Sequence, residues 1–355
     1  MSGPILPVGA PFPERDCIVM LSALGDVVHA LPVVTAIRRH APRTRITWIL
    51  QPAPAALVRG HPAVDEIVVF ERRKGVRAFL DLRRTLAALP FDLVLDLQPY
   101  FKAGIITRMA RAPIKLGLDY SRARDLNWLF TTHRIPPRVP GHIADQFLEY
   151  LDALGVPRGE IDWGLAPTAE ERATARGIVA GLQGPLVGLV VATSRPAKNW
   201  PAAHYADLAV RLTSELRASC VLLGDTSPPE RQAAETILAI TKAPINALGC
   251  GLRTTLALLE ACDIVVSPDT GPYHMCVAMH VPAVGLYGYT NPKRFGPYGR
   301  FQDLVVDGYG DSGEDYPASG GYRAGRVERI TVEMVLEKVE LARERYGGAT
   351  WRRKR

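Results

Sequence analysis

CIVMLSALGDVVHALPVVTAIRRHAPRTRITWIL, residues 17–50, is the stretch from which the fold is read. It opens on a short apolar run, CIVML (17–21), and passes through a polar turn containing Gly25. A helix-period segment ending in VVTAIRRH (33–40) follows, and RITWIL (45–50) closes the stretch as a second apolar run. Apolar strands without alternation, joined by a helical crossover, are the signature of a parallel sheet buried on both faces. The pattern repeats outward through EIVVF (66–70), FDLVLDL (91–97) and IKLGL (114–118), with VRAFLDLRRTLAAL (76–89) and FKAGIITRMAR (101–111) as the intervening helices. HIADQFLEYLDALG (142–155) then reads as a closing helix, stopped by Gly155 and Pro157.

A stretch rich in Pro, Gly and acid, VPRGEIDWGLAPTAEERA (156–173), separates this half from the next, and the domain boundary is placed near 160. It leads into a helix capped by Thr168, with Glu170 and Glu171 in its first turn. The alternation then restarts with strands at 185–193, 220–224, 263–268 and 282–288 and helices near 201–216, 228–240 and 271–279. The expected fold is therefore α/β, with a Rossmann-like domain over 1–160 and a second over 161–328. A C-terminal helix and basic tail occupy 329–355. Ligands of such sheets bind outside the carboxyl ends of the strands, so a cleft between the two domains is the expected site. Residues 308–325 are too Gly-rich to be more than a loop.

The 355 residues, 47% hydrophobic and 22% charged, agree with two soluble domains and exclude a disordered or collagenous chain. No apolar run is long enough for a spanning helix, and the N-terminus has no secretory pattern, so a cytoplasmic protein is expected. The five cysteines, Cys17, Cys220, Cys250, Cys262 and Cys276, form no C-x-x-C pair and read as reduced thiols. The formal charge of +7 is concentrated: residues 101–140 carry Lys102, Arg108, Arg111, Lys115, Arg122, Arg124, Arg134 and Arg138 against Asp119 and Asp125. A second basic group, Arg352, Arg353, Lys354 and Arg355, ends the chain. Such patches suit an anionic partner, or are simply solvated surface. No aromatic-interleaved basic strand or recognition helix accompanies them, so nucleic acid is not the expected partner.

Chemistry concentrates where strands end. In SALGDVVHALP (22–32), Gly25 permits a tight turn and Asp26 opens the following helix. Asp26 reads either as a helix cap or as a general base at the top of the first strand, where the helix N-terminus favours its ionised form. His29, one turn later, orients that carboxylate, touches substrate, or is structural. In VVATSRPAKNWP (190–201), Thr193, Ser194, Arg195 and Lys198 are the ingredients of an anion cradle at a strand-to-helix turn, without a Walker A pattern. In SPDTGPYHMCVAMH (267–280), Asp269, Thr270 and Gly271 meet a helix start, and backbone N–H groups at 270–272 can hold a diphosphate. His274 falls at helical spacing on the same side. GLRTTL (251–256) lacks the third glycine of a dinucleotide loop. Without H-E-x-x-H, D-x-D or a His/Cys cluster, no protein-bound metal is expected.

These three motifs, in this order and followed by VPAVGLYG (281–288), resemble the ADP-heptose:lipopolysaccharide heptosyltransferases of glycosyltransferase family 9. The resemblance spans about residues 16–345. It implies a GT-B fold, two Rossmann-like domains facing across a cleft, and an inverting, metal-independent transfer of heptose from ADP-heptose to the lipid A-linked inner core. No cofactor is implied. Carried over by motif, Asp26 takes the proton of the acceptor hydroxyl, and Lys198 neutralises the departing ADP. Thr193, Ser194, Asp269, Thr270, Gly271 and His274 complete the donor pocket. For the adenosine-contacting acid in GDTSPPER (224–231), Asp225, Glu230 and Thr226 are the alternatives, with Asp225 taken as the donor-binding residue. The resemblance also gives the basic stretch a purpose, contact with an anionic acceptor at the inner face of the inner membrane, for which Lys102, Arg108, Arg122 and Arg124 are candidates beside His29. The alternatives are a family 9 transferase with a different glycan acceptor or sugar donor, and a GT-B-fold nucleotide-sugar epimerase, which needs no acceptor.

Overall fold

The computed structural model describes residues 5–6 and 11–347; the basic tail Arg352–Arg355 lies outside them. The chain divides into two compact units, Met1–Leu165 and Ala166–Arg355, a few residues beyond the boundary read near 160.

In the first unit the elements run β1 (Arg15–Val19), α1 (Leu24–His40), β2 (Arg45–Leu50), α2 (Pro52–Val58), β3 (Glu66–Val69), α3 (Val76–Ala87), β4 (Leu93–Asp96), α4 (Phe101–Met109), β5 (Ile114–Gly117), β6 (His133–Arg134) and α5 (Ile143–Leu154). The strands form one parallel sheet in the order β3-β2-β1-β4-β5-β6, with Ile18 opposite Trp48 on one side and Leu95 on the other. β1 is central, and Cys17, Ile18 and Val19 are completely buried, as its unbroken apolar run requires. α5 stops where the sequence places its stop: Gly155 adopts φ 72°, a left-handed conformation that closes the helix at no side-chain cost.

The second unit contains α6 (Ala169–Ile178), β7 (Leu186–Val190), α7 (Ala202–Leu216), β8 (Ser219–Leu223), α8 (Pro228–Ile240), β9 (Pro244–Asn246), α9 (Leu252–Ala261), β10 (Ile264–Pro268), α10 (Gly271–Ala278), β11 (Ala283–Tyr287), α11 (Pro292–Phe295), β12 (Val305–Asp307) and α12 (Val332–Tyr346). Its parallel sheet has the order β12-β11-β10-β7-β8-β9, the same winding counted from β7. α12 is no separate segment: Val335 and Val339 are buried, and Lys338 Nζ donates to the Asp303 carbonyl at 2.6 Å. Cys17, Cys220, Cys262 and Cys276 are buried free thiols, and Cys250 is partly exposed.

In both sheets the winding reverses beside the first strand, between β1 and β4 and between β7 and β10. Those are the points at which doubly wound sheets bind ligands, at the carboxyl ends of the strands. The short edge strands β6, β9 and β12 and the helices α2 and α9 add to the elements read from sequence. GLRTTL opens α9, with Gly251 as its N-cap at φ 88°, so that segment is a helix start and no dinucleotide loop.

The Thr168 cap forms as read: its Oγ1 accepts from Glu171 N at 3.2 Å, and Glu171 Oε2 accepts from Thr168 N at 2.7 Å. Replacing the hydroxyl removes one arm of this reciprocal pair. Thr168→Ala is expected to cost about 1 kcal/mol, a fall of about 2–4 °C in Tm for a unit of this size. Thr168→Ser should melt with the parent, and thermal melts of the two variants check the assignment.

Candidate functional site

The candidate residues gather at the two switch points, one in each unit. In the first, α1 starts so soon after β1 that Asp26 falls in the third helical position. Its Oδ2 accepts from Ala23 N at 3.2 Å, which ties the first turn of α1 to the loop that precedes it. The carboxylate is half-buried at the carboxyl end of β1, where the helix N-terminus favours negative charge.

A residue that sequence reasoning passed over sits across the switch point. Gln98 follows β4; its Oε1 accepts from Leu21 N at 2.8 Å, and its Nε2 donates to the Ser22 carbonyl. Beneath it, Asp96 is completely buried and accepts from Thr107 Oγ1 at 2.8 Å, Asn127 Nδ2 at 3.0 Å and Gln98 N at 3.3 Å. Burial pushes its carboxyl up to about 7, against the lowering effect of the Asn127 and Thr107 hydrogen bonds. The signal available in the sequence was Asp96, the acid next to last in the apolar run FDLVLDL.

Three residues expected at the acceptor are placed elsewhere. Arg122 is 9% exposed and fully engaged: its guanidinium pairs with Asp119 and with Glu149 at 2.8 Å and donates to the Pro136 carbonyl at 3.0 Å. A buried cation with two carboxylate partners holds the fold, so it is not available to an acceptor. Arg108 is exposed, but α4 carries it back towards the amino ends of the strands, where its carbonyl accepts from Lys115 Nζ at 3.3 Å. His29, 4% exposed, lies edge-on to His142 with ring centroids 5.5 Å apart, a position that serves the packing of α1 against α5. Lys102, at the start of α4, and Arg124, whose N donates to the Pro99 carbonyl at 2.7 Å, remain exposed near the carboxyl end of β4.

In the second unit, the loop after β7 is built by its own side chains. Thr193 N donates to Asn199 Oδ1 at 2.7 Å, and Thr193 Oγ1 accepts from Arg195 N and donates to the Arg195 carbonyl, both at 3.0 Å. The Thr193 hydroxyl therefore shapes the loop, whereas Ser194 is exposed. Trp200 anchors the far end by donating from Nε1 to the Ile330 carbonyl at 2.8 Å.

Held in this way, Lys198 meets the start of α10. Its Nζ donates to Asp269 Oδ2 at 2.6 Å and to the Asp269 carbonyl at 3.0 Å, and His274 Nε2 lies 2.9 Å from Asp269 Oδ1. The sequence separation is 71 residues; β7 beside β10 is what brings the pair together. Burial works to raise the Asp269 carboxyl, but the His274 hydrogen bond and the Lys198 charge hold it well below the usual carboxylate range. A carboxylate beside an anion cradle is thus neutralised from within. Lys198 retains one ammonium hydrogen without a partner among the described residues, and its side chain is 17% exposed.

Thr270 is the N-cap of α10 and Gly271 its first residue. Pro272 carries no N–H, so the cradle expected from residues 270–272 reduces there to the amides of Thr270 and Gly271. After β8, Glu230 is committed to capping α8, accepting from Asp225 N at 2.8 Å and Ser227 N at 3.2 Å. Asp225 is exposed, with one carboxylate oxygen accepting from Thr226 N at 2.8 Å. Of the two acids in this turn, Asp225 is the one with a carboxylate oxygen that has no hydrogen bond among the described residues.

Comparison with known proteins places the chain in a family. The family model described as glycosyltransferase family 9 (heptosyltransferase) matches residues 79–313. The lipopolysaccharide core heptosyltransferase OpsX of Haemophilus influenzae is 30% identical over 302 residues, covering 84% of this chain and 86% of its own. Among solved structures, the glycosyl transferase family 9 protein of Veillonella parvula has a TM-score of 0.78 at 25% identity, over 93% of this chain and 97% of its own. The E. coli heptosyltransferase WaaC with ADP-2-deoxy-2-fluoro heptose has a TM-score of 0.70 at 25% identity, over 92% of this chain and 99% of its own.

Proposed function

This chain belongs to glycosyltransferase family 9, a family of GT-B fold, and from that premise we propose that it transfers heptose from ADP-heptose to the lipopolysaccharide inner core. The acceptor is lipid A-linked keto-deoxy-octulosonate or the first heptose upon it. The acceptor hydroxyl attacks the anomeric carbon as its proton passes to Asp26. The bond from that carbon to the diphosphate oxygen breaks, its electron pair leaves with ADP, and the configuration inverts.

The observation that carries this reading is Lys198, an ammonium fixed by Asp269 at the start of α10. A cation already in place meets charge growing on the leaving diphosphate without reorganisation, and this is the basis for proposing that no metal is needed. The Thr270 and Gly271 amides, Ser194 and Asp225 contribute to the donor side, and Thr193 and His274 act by holding the loop and Asp269. Lys102 and Arg124 are proposed to anchor the acidic acceptor. Among the described residues no helix is long and apolar enough to cross a membrane; the acceptor's lipid is proposed to bring the enzyme, from the cytoplasm, to the inner face of the inner membrane.

The test supplies ADP-heptose and either acceptor in the presence of a chelator and reads the product by mass and by the anomeric NMR signal. The expected result is a gain of one heptose on one of the two acceptors, of opposite anomeric configuration to the donor and undiminished by chelation. Epimerised nucleotide sugar formed without acceptor would instead support an epimerase, and transfer abolished by chelation would overturn the metal-free part.

A further inference from the structure

The Asp26 loop, residues 20–23, has few ties of its own, because it lies beyond the end of the β1–β4 ladder. The last regular bond there is Leu97 N donating to the Val19 carbonyl at 3.1 Å. On the β2 side, Gln51 N donates to the Leu21 carbonyl at 2.9 Å. On the β4 side no backbone group among the described residues continues the pattern, and a side chain does so instead. The Gln98 amide accepts from Leu21 N and donates to the Ser22 carbonyl, as one more residue of strand would. The next group along the chain, Ala23 N, donates to the Asp26 carboxylate.

We propose that Gln98 is a positioning residue for Asp26, a side-chain extension of the sheet that sets the loop from which the Asp26 carboxylate is presented to the acceptor hydroxyl. The inference rests on the reading of Asp26 as the base. Two features support it beyond the distances. Gln98 is 8% exposed, and its own N donates to Asp96, which Thr107 and Asn127 hold in turn. The clamp is therefore seated on a rigid base. The chemistry also suits the residue type: the loop offers Gln98 one N–H and one carbonyl, and a carboxamide accepts through its oxygen while it donates through its nitrogen. Glutamate in the same shape sets a carboxylate oxygen against the Ser22 carbonyl, where no proton is available to share.

Gln98→Glu is the direct test, with Gln98→Ala as a variant that removes both bonds without adding charge. A displaced general base lowers turnover steeply, since misplacement by about 1 Å can cost about 100-fold. Both variants are expected to lose about 10- to 100-fold in kcat, while KM for ADP-heptose and the affinity for ADP stay at parental values, because the donor loops lie in the second unit. The decisive readout is coupling. If Gln98 acts through Asp26, Gln98→Glu subtracts little from the residual rate of Asp26→Asn, since groups acting as a unit are not additive. Losses that multiply in the double variant overturn the proposal, and so does parental kcat in Gln98→Glu. Unfolding of both Gln98 variants also overturns it, by showing that the amide holds the unit together. Failure of the underlying reading looks different: Asp26→Asn itself then keeps its turnover, whatever the Gln98 variants do.

Discussion

Asp26→Asn is expected to lose about 10²- to 10⁴-fold in kcat, the usual contribution of a positioned general base, while melting close to the parent chain. The separation of the two effects follows from the geometry. Asparagine keeps an oxygen to accept from Ala23 N, so the tie between loop and helix survives. What goes is one negative charge in the first turn of α1, worth about 0.3–1 kcal/mol at an exposed helix start. The substitution also removes the carboxylate proposed to take the acceptor's proton, while His29 stays buried against His142. ADP-heptose affinity should be unchanged. Single-turnover rates beside thermal melts check both halves: turnover within tenfold of the parent would mean that the carboxylate serves the helix start alone.

Lys198→Met is expected to damage both chemistry and fold. Removing one preorganised group facing developing charge typically costs about 10²- to 10³-fold in kcat, and the lost phosphate partner should weaken ADP binding as well. The stability effect has a separate origin. Lys198 and His274 together hold Asp269 ionised in a buried site. Breaking a buried pair by deleting one partner costs roughly 3–5 kcal/mol; with Lys198 17% exposed, the low end, about 3 kcal/mol, applies. Because the folded-state pKa of Asp269 is depressed, its stabilisation is present above the unfolded value, about 3.9, and is lost as pH falls through the folded value. In Lys198→Met that folded value rises. The Tm gap between parent and variant should therefore be widest near pH 7 and narrow towards pH 3, and a gap that widens in acid would contradict the pairing. Lys198→Arg keeps the charge but not the compact ammonium, and should fall between the two.

The architecture was legible because the central strands are buried on both faces and so carry runs such as Cys17–Val19, Leu186–Val190 and Ile264–Val266, which no surface strand would tolerate. His133–Arg134, Pro244–Asn246 and Val305–Asp307 were not legible, since strands of two or three residues have no period and exist only through the neighbour they pair with. At GLRTTL the glycine pattern was weighed against a dinucleotide loop and set aside, while the helix it opens, Leu252–Ala261, went unread.

The site divides in the same way. Asp26, Lys198 and Asp269 stand out as polar residues at the ends of apolar strands, but the Lys198–Asp269 pair depends on strand order, which a linear reading does not contain. The basic stretch 101–140 shows the opposite error. A charge count along the chain weighs Arg122 and Lys102 alike, although Arg122 is spent on Asp119 and Glu149 and Lys102 faces solvent. Gln98 was invisible because a neutral amide has no signature until its two partners are seen.

Heptose transfer is tested at its simplest by ADP release by the native chain from ADP-heptose in chelator, with and without lipid A bearing keto-deoxy-octulosonate or its first heptose. Release that depends on one of these acceptors and is indifferent to chelation is expected. Failure to bind ADP-heptose, or release at the same rate whether or not acceptor is present, would contradict it.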